Sequence, residues 1–146
     1  MQHSLARRLA LGAMLATLPG LAFGREMLRF DGVYKSYGVR GMEFSDRVRQ
    51  LAGTAVAITG YMAPPLKAES NFFVLSSEPL SICPFCESDA DWPVDIVVIY
   101  LRQVAPLTSA GARVTVSGRL DTGSWSDPDT GFVSLLRLMD AQYARA

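Results

Sequence analysis

Two stretches of this chain carry one pattern: Val56-x-Ile58-x-Gly60-x-Met62 and Val114-x-Val116-x-Gly118-x-Leu120. Apolar residues at every second position mark a strand with one buried face. In the second stretch Arg113, Thr115, Ser117 and Arg119 fill the alternate, outward positions. A glycine inside a strand weakens it locally but lets it coil sharply where another backbone comes close. Two strands with matching glycines are what a small closed sheet needs at its corners.

The rest of the chain fits an all-β plan. Residues 25–44 have no clear period: Met27–Phe30 could form a short strand besides the five that follow, and Gly32, Gly38 and Gly41 punctuate the rest. Ser45 suits a helix N-cap, with Asp46 at the positive end of a helix over Asp46–Ala52 that stops at Gly53. Thr54–Met62 is a strand, ended by Ala63-Pro64-Pro65 because proline cannot continue a ladder. Asn71–Leu75 is the next strand, and residues 76–93 are irregular. Val94–Leu101 is apolar on both faces, as a central strand should be. Arg113–Leu120 follows, then a turn over Asp121–Gly131 and a last strand over Phe132–Met139. Five short strands, one short helix and no βαβ alternation predict a mainly β domain, a small five-stranded OB-like barrel, with a sandwich as the alternative.

Residues 1–24 predict an export signal ahead of that domain. Arg7-Arg8 gives a positive start, Leu9–Leu18 an apolar core, Pro19-Gly20 a break, and Ala22-Phe23-Gly24 small residues before a cut at Arg25. The apolar core is too short for a permanent membrane span. The arginine pair also permits the twin-arginine route. The expected product is residues 25–146, one OB-like domain, periplasmic or secreted. All 14 acidic residues fall after residue 24 and two of the 14 basic ones before it, leaving a net charge of −2. Such a domain lacks the basic face that nucleic acid demands and the basic amphipathic helix that a membrane surface demands.

The single histidine, His3, lies inside the signal. The exported domain then has no imidazole, which excludes Ser–His and Cys–His hydrolases and c-type haem attachment. The chemistry left is that of sulfur. Cys83-Pro84-Phe85-Cys86 is followed by Glu87, Asp89 and Asp91. Two thiols at this spacing can close a structural disulfide, which an oxidising compartment favours. They can also grip zinc or copper as thiolates, with Asp89 or Asp91 assisting. Without histidine a closed zinc site needs carboxylates, water or a second subunit's thiols, which suits a carrier or sensor. Thiol–disulfide exchange is the remaining alternative and the one enzyme class kept open, with Cys83 as the attacking thiol. The neighbouring carboxylates oppose it by raising thiol pKa. The three readings are thus metal handling, redox exchange, and an interaction module with a purely structural disulfide.

Asp127-Pro-Asp129-Thr-Gly131 is expected to be a hairpin turn rather than a calcium loop, because the distal ligands are missing. Trp125, in a polar loop, is a candidate to line a ligand pocket with Tyr61, Phe72 and Phe85, although ordinary core packing is the default for such aromatic residues.

The run Val56-Ala-Ile-Thr-Gly-Tyr-Met-Ala-Pro-Pro-Leu66, with Phe73-Val-Leu75, Cys83-Pro-Phe-Cys86, Val98-x-Tyr100-Leu101, Val116-x-Gly118-Arg-Leu120 and Thr130-Gly131, resembles the exported bacterial proteins grouped as DUF3299. The resemblance covers roughly residues 44–140. It implies an OB-like barrel, export, and no established enzyme activity. Some relatives lie beside transporter and metal-homeostasis genes, which implies a periplasmic or membrane transport component as partner and supports the metal reading. It assigns no catalytic or ligand residue.

Overall fold

The computed structural model describes residues 24–65, 71–80, 92–104 and 109–146. They form a mainly β structure with one short α-helix. The strands are β1 (Glu26–Leu28), β2 (Tyr34–Gly38), β3 (Gly41–Phe44), β4 (Ala55–Met62), β5 (Phe72–Ser76), β6 (Ile96–Leu101), β7 (Arg113–Ser126) and β8 (Val133–Arg145). A 3-10 turn spans Phe30–Gly32, and helix α1 spans Asp46–Leu51. Among the described residues no helix is long and apolar enough to cross a membrane.

Local chemistry places α1 where the sequence puts it. The Ser45 hydroxyl accepts from the Val48 N–H at 3.3 Å and donates to the Gly32 carbonyl at 2.7 Å. One side chain therefore caps the helix and ties it to the 3-10 turn. Gly53 takes φ 82°, a left-handed value that ends the helix at little cost.

β4 runs antiparallel to β7 from Ala55 to Tyr61, and its end meets β5 through Tyr61↔Ser76 and Met62↔Leu75. β5 is antiparallel to β6, β6 parallel to β8, and β8 antiparallel to β7. The pairings thus run β4–β5–β6–β8–β7 and return to β4. β1 adds in parallel to the remaining edge of β4. β2 and β3 form a separate hairpin that the sequence period does not reveal.

In-register partners share a face. Val56, Ile58 and Gly60 meet Gly118, Val116 and Val114; Met62 meets Leu75, Leu75 meets Val97, and Ile99 meets Leu138. These side chains are buried and form the expected core. At both strand glycines another backbone comes close. A Cβ on Gly60 would lie 2.6 Å from the Ser76 carbonyl oxygen, and one on Gly118 2.8 Å from the Met139 carbonyl oxygen. Opposite Gly118, β8 carries an extra residue, and Asp140 there has φ 51°. That bulge bends β8 locally.

The other face of β5 and β6 is buried as well, which is why β6 is apolar throughout. Phe72 stacks on Tyr100 at 5.3 Å, Phe132 leans on Phe72 at 5.5 Å, and Trp125 meets Tyr100 edge-on at 5.3 Å. The connection between β7 and β8 thus covers one end of this second apolar face. β7 and β8 each run six residues past their expected ends, at Leu120 and Met139.

Candidate functional site

Cys83, Cys86, Asp89, Asp91 and Phe85 lie outside the described residues. The disulfide, metal and redox expectations that fall on them do so too. Both stems of their segment are in place. The Ser77 N–H donates to the Asp95 carbonyl at 3.0 Å, closing the base where β5 leaves and β6 begins. Trp92 is buried, and its indole N–H donates to the Tyr34 hydroxyl at 2.8 Å. Among the described residues no group of three or more His, Cys, Asp or Glu side chains gathers.

Of the aromatic candidates for a pocket, Phe72 and Trp125 both pack on Tyr100, whereas Tyr61 lies apart from them. Tyr61 pairs with Ser76 at one end of β5, whereas Trp125 touches Tyr100, the partner of Phe72 at the other end. Four residues of strand, about 13 Å, lie between those ends. Asp127–Gly131 is a turn. The Asp127 carboxylate accepts from the Asp129 N–H at 2.8 Å and the Thr130 N–H at 3.4 Å, and Gly131 takes φ 73°.

Trp125 belongs to a polar cluster that sequence reading misses. Arg137 is only 4% exposed. Its Nε and Nη2 donate to Asp121 at 3.0 Å, and its Nη1 donates to the Gly123 carbonyl at 2.8 Å and the Ser134 carbonyl at 3.1 Å. The guanidinium lies 5.1 Å from the Trp125 ring centre. A buried arginine with its donors met is a structural lock. Beside it, the Tyr100 hydroxyl is buried with no hydrogen-bond partner among the described residues. Burial first, then the charge of Asp127, pushes its pKa well above the ordinary tyrosine range.

A groove of about 750 Å³ lies elsewhere, on the outer side of β4 and β7. Its floor holds Thr59 and Arg113, and Thr59 shares a 2.8 Å hydrogen bond with Thr115. One wall is β1 and the 3-10 turn, including Met27, Arg29, Phe30 and Asp31. Tyr34 and Tyr37 of β2 line the groove too, as do Ser77, Val94 and Asp95. The groove therefore abuts both stems of the cysteine-bearing segment.

The tyrosine lining depends on a bulge. Residues three apart on a regular strand face opposite ways. Here Tyr34 pairs with Phe44, Ser36 with Glu43 and Tyr37 with Met42, so one extra residue sits at Lys35. Tyr34 and Tyr37 consequently share the face of Phe44 and Met42, and Tyr34 stacks on Phe44 at 5.2 Å. Bulges re-aim side chains in this way beside functional sites. Also lining the groove, Arg29 donates twice to Asp31 at 3.1 Å and holds its carboxyl below the usual carboxylate range. Arg113 and Asp95 have no side-chain partner among the described residues.

No family model and no curated protein matches the chain. Among solved structures, the crystal structure of a DUF3299 family protein from Pseudomonas aeruginosa PAO1 matches with a TM-score of 0.56. The match covers 84% of this chain and 97% of that one, at 10% sequence identity. At that identity the likeness speaks for architecture alone, and at that level the chain shares the fold of the DUF3299 proteins that its sequence resembles.

Proposed function

We propose that this chain is an exported small binding protein built on an OB-type barrel, and that it handles zinc or copper through Cys83 and Cys86, with Asp89 or Asp91 assisting. The barrel reading is supported by the return of the β4–β5–β6–β8–β7 pairings to β4, by the β6–β8 contact being parallel while the other contacts of that circuit are antiparallel, and by the close backbone approach at both strand glycines. The export reading is supported by the layout of residues 1–24. The observation that carries the functional reading is the anchoring of the cysteine-bearing segment at both stems. The Ser77–Asp95 backbone bond and the Trp92–Tyr34 bond fix its points of departure and return at the rim of the 750 Å³ groove. Two thiolates three positions apart on a short anchored segment form half of a soft-metal site. A half-site leaves room for a transport component to complete the coordination and take the ion.

Native mass measurement after incubation with Zn²⁺, or with Cu(I) under reducing conditions, tests this. One retained ion per chain is expected, lost in the Cys83→Ser/Cys86→Ser variant. A protein that binds no ion, is two hydrogens lighter than its reduced form, and melts identically with and without metal overturns the metal role. A pair that cycles with a dithiol reductant at a potential well above that of structural disulfides would put thiol–disulfide exchange in its place.

A further inference from the structure

We propose that the groove between the 3-10 turn and the β2–β3 hairpin binds a short zwitterionic peptide of two or three residues, its carboxylate on Arg113 and its ammonium on Asp95. This goes beyond the thiol reading and uses none of its residues.

Charge decides the ligand class. The groove is lined by two arginines, Arg29 and Arg113, and two aspartates, Asp31 and Asp95. Arg29 and Asp31 satisfy each other through two hydrogen bonds. Among the described residues, that leaves Arg113 and Asp95 without a side-chain partner in the same groove. An anionic ligand would meet Asp95, and a cationic one Arg113. A neutral ligand such as a sugar would leave both charges unmatched. A molecule carrying one charge of each sign matches both.

Spacing sets the length. Tyr61 pairs in register with both Arg113 and Ser76, and Ser76 pairs with Ile96, the neighbour of Asp95. Three inter-strand steps of about 4.8 Å put the two backbone positions roughly 14 Å apart. The span shortens once both side chains reach into the groove. Two or three extended residues, at ~3.3–3.6 Å each, bridge what remains. The guanidinium fork of Arg113 can donate two hydrogen bonds to a terminal carboxylate, and Asp95 can accept from a terminal ammonium. The bulge turns Tyr34 and Tyr37 toward the same space, so the ligand's side chains meet aromatic rings. Tyr37, 65% exposed, has the room to receive them.

The test is titration calorimetry on the purified protein with an unblocked tripeptide library and with Ala-Phe-Ala. Its N-acetylated and C-amidated forms are run alongside. Saturable binding of free peptides is expected, with each cap weakening it by at least about tenfold, the scale of one charge-assisted hydrogen bond. Arg113→Gln should erase the preference for the free acid over the amide, and Asp95→Asn the preference for the free amine over the acetylated form. Both positions lie outside the core, so melting curves should match those of the unaltered protein. The Cys83→Ser/Cys86→Ser variant should bind peptide unchanged, which separates this outcome from that of the metal experiment. No saturable binding at millimolar peptide overturns the proposal. So do equal affinities for capped and free forms, or a cap preference that survives both substitutions.

Discussion

Gly60→Ala probes the close backbone approach between β4 and β5. A Cβ there would lie 2.6 Å from the Ser76 carbonyl oxygen, 2.9 Å from Leu75 Cγ and 3.0 Å from Phe30 Cε2. The first neighbour is backbone and cannot swing aside, so the Tyr61–Ser76 pairing must give. Forcing an extra carbon into such a place costs roughly 1–3 kcal/mol. Alanine also restricts the unfolded chain, which offsets about 0.4–1 kcal/mol. The net expectation is a loss of about 1–2 kcal/mol. For a domain of this size that lowers the melting midpoint by roughly 4–8 °C. Thermal and urea melts followed by circular dichroism measure it, with the urea slope unchanged. Gly32→Ala is the control, because nothing lies within 4 Å of its Cβ position. If Gly60→Ala unfolds at the unaltered midpoint, the close crossing of β5 over β4 does not exist in solution.

Ser45→Ala removes both the cap of α1 and its bond to Gly32, and should cost about 1 kcal/mol in a urea melt. Arg137→Met should cost more, about 2–3 kcal/mol, because the Gly123 and Ser134 carbonyls lose a charged donor; Asp121, 40% exposed, can turn to water. Arg137→Lys keeps the charge but not the fork and should fall between the two proteins. Tyr100 supplies a pH test. Its folded-state pKa is raised, so the stability it contributes is present below the unfolded value near ~10 and is lost as pH climbs above it. Tyr100→Phe should flatten that alkaline loss and leave the protein at least as stable at pH 7, since the hydroxyl it deletes has no partner. An unchanged alkaline melt would show that Tyr100 is hydrated in the folded state.

The parts of the fold written in local pattern could be read directly. Ser45 and Gly53 bracket α1, the two glycine strands carry their own alternation, and the doubly apolar β6 announces a strand covered on both sides. The β2–β3 hairpin could not be read in this way. Its bulge sets Tyr34 and Tyr37 three apart on one face, a spacing that breaks the strand period. The end of β7 was hidden by a polar residue, since Asp121 is held by Arg137 rather than by apolar burial, and β8 continues past Met139 through the bulge at Asp140, which breaks the strand period. The groove was hidden for a different reason. Its walls come from β1, β2, β4 and β7, and only the fold brings Arg113 and Asp95 to one place. Tyr61 and Trp125 look like pocket partners in sequence, but the strands carry them to opposite ends of β5.

The pairing of β4 has a consequence for how the molecule is made. β4 meets β7 along Ala55–Tyr61 but meets β5 only at its last residues, Tyr61 and Met62. Until residues 113–119 arrive, β4 therefore has only β1 and its short contact with β5 to pair with. Loop closure over that separation is slow, and such topologies acquire their structure late. A growing polypeptide of this design holds only part of its final sheet until that late segment has been made.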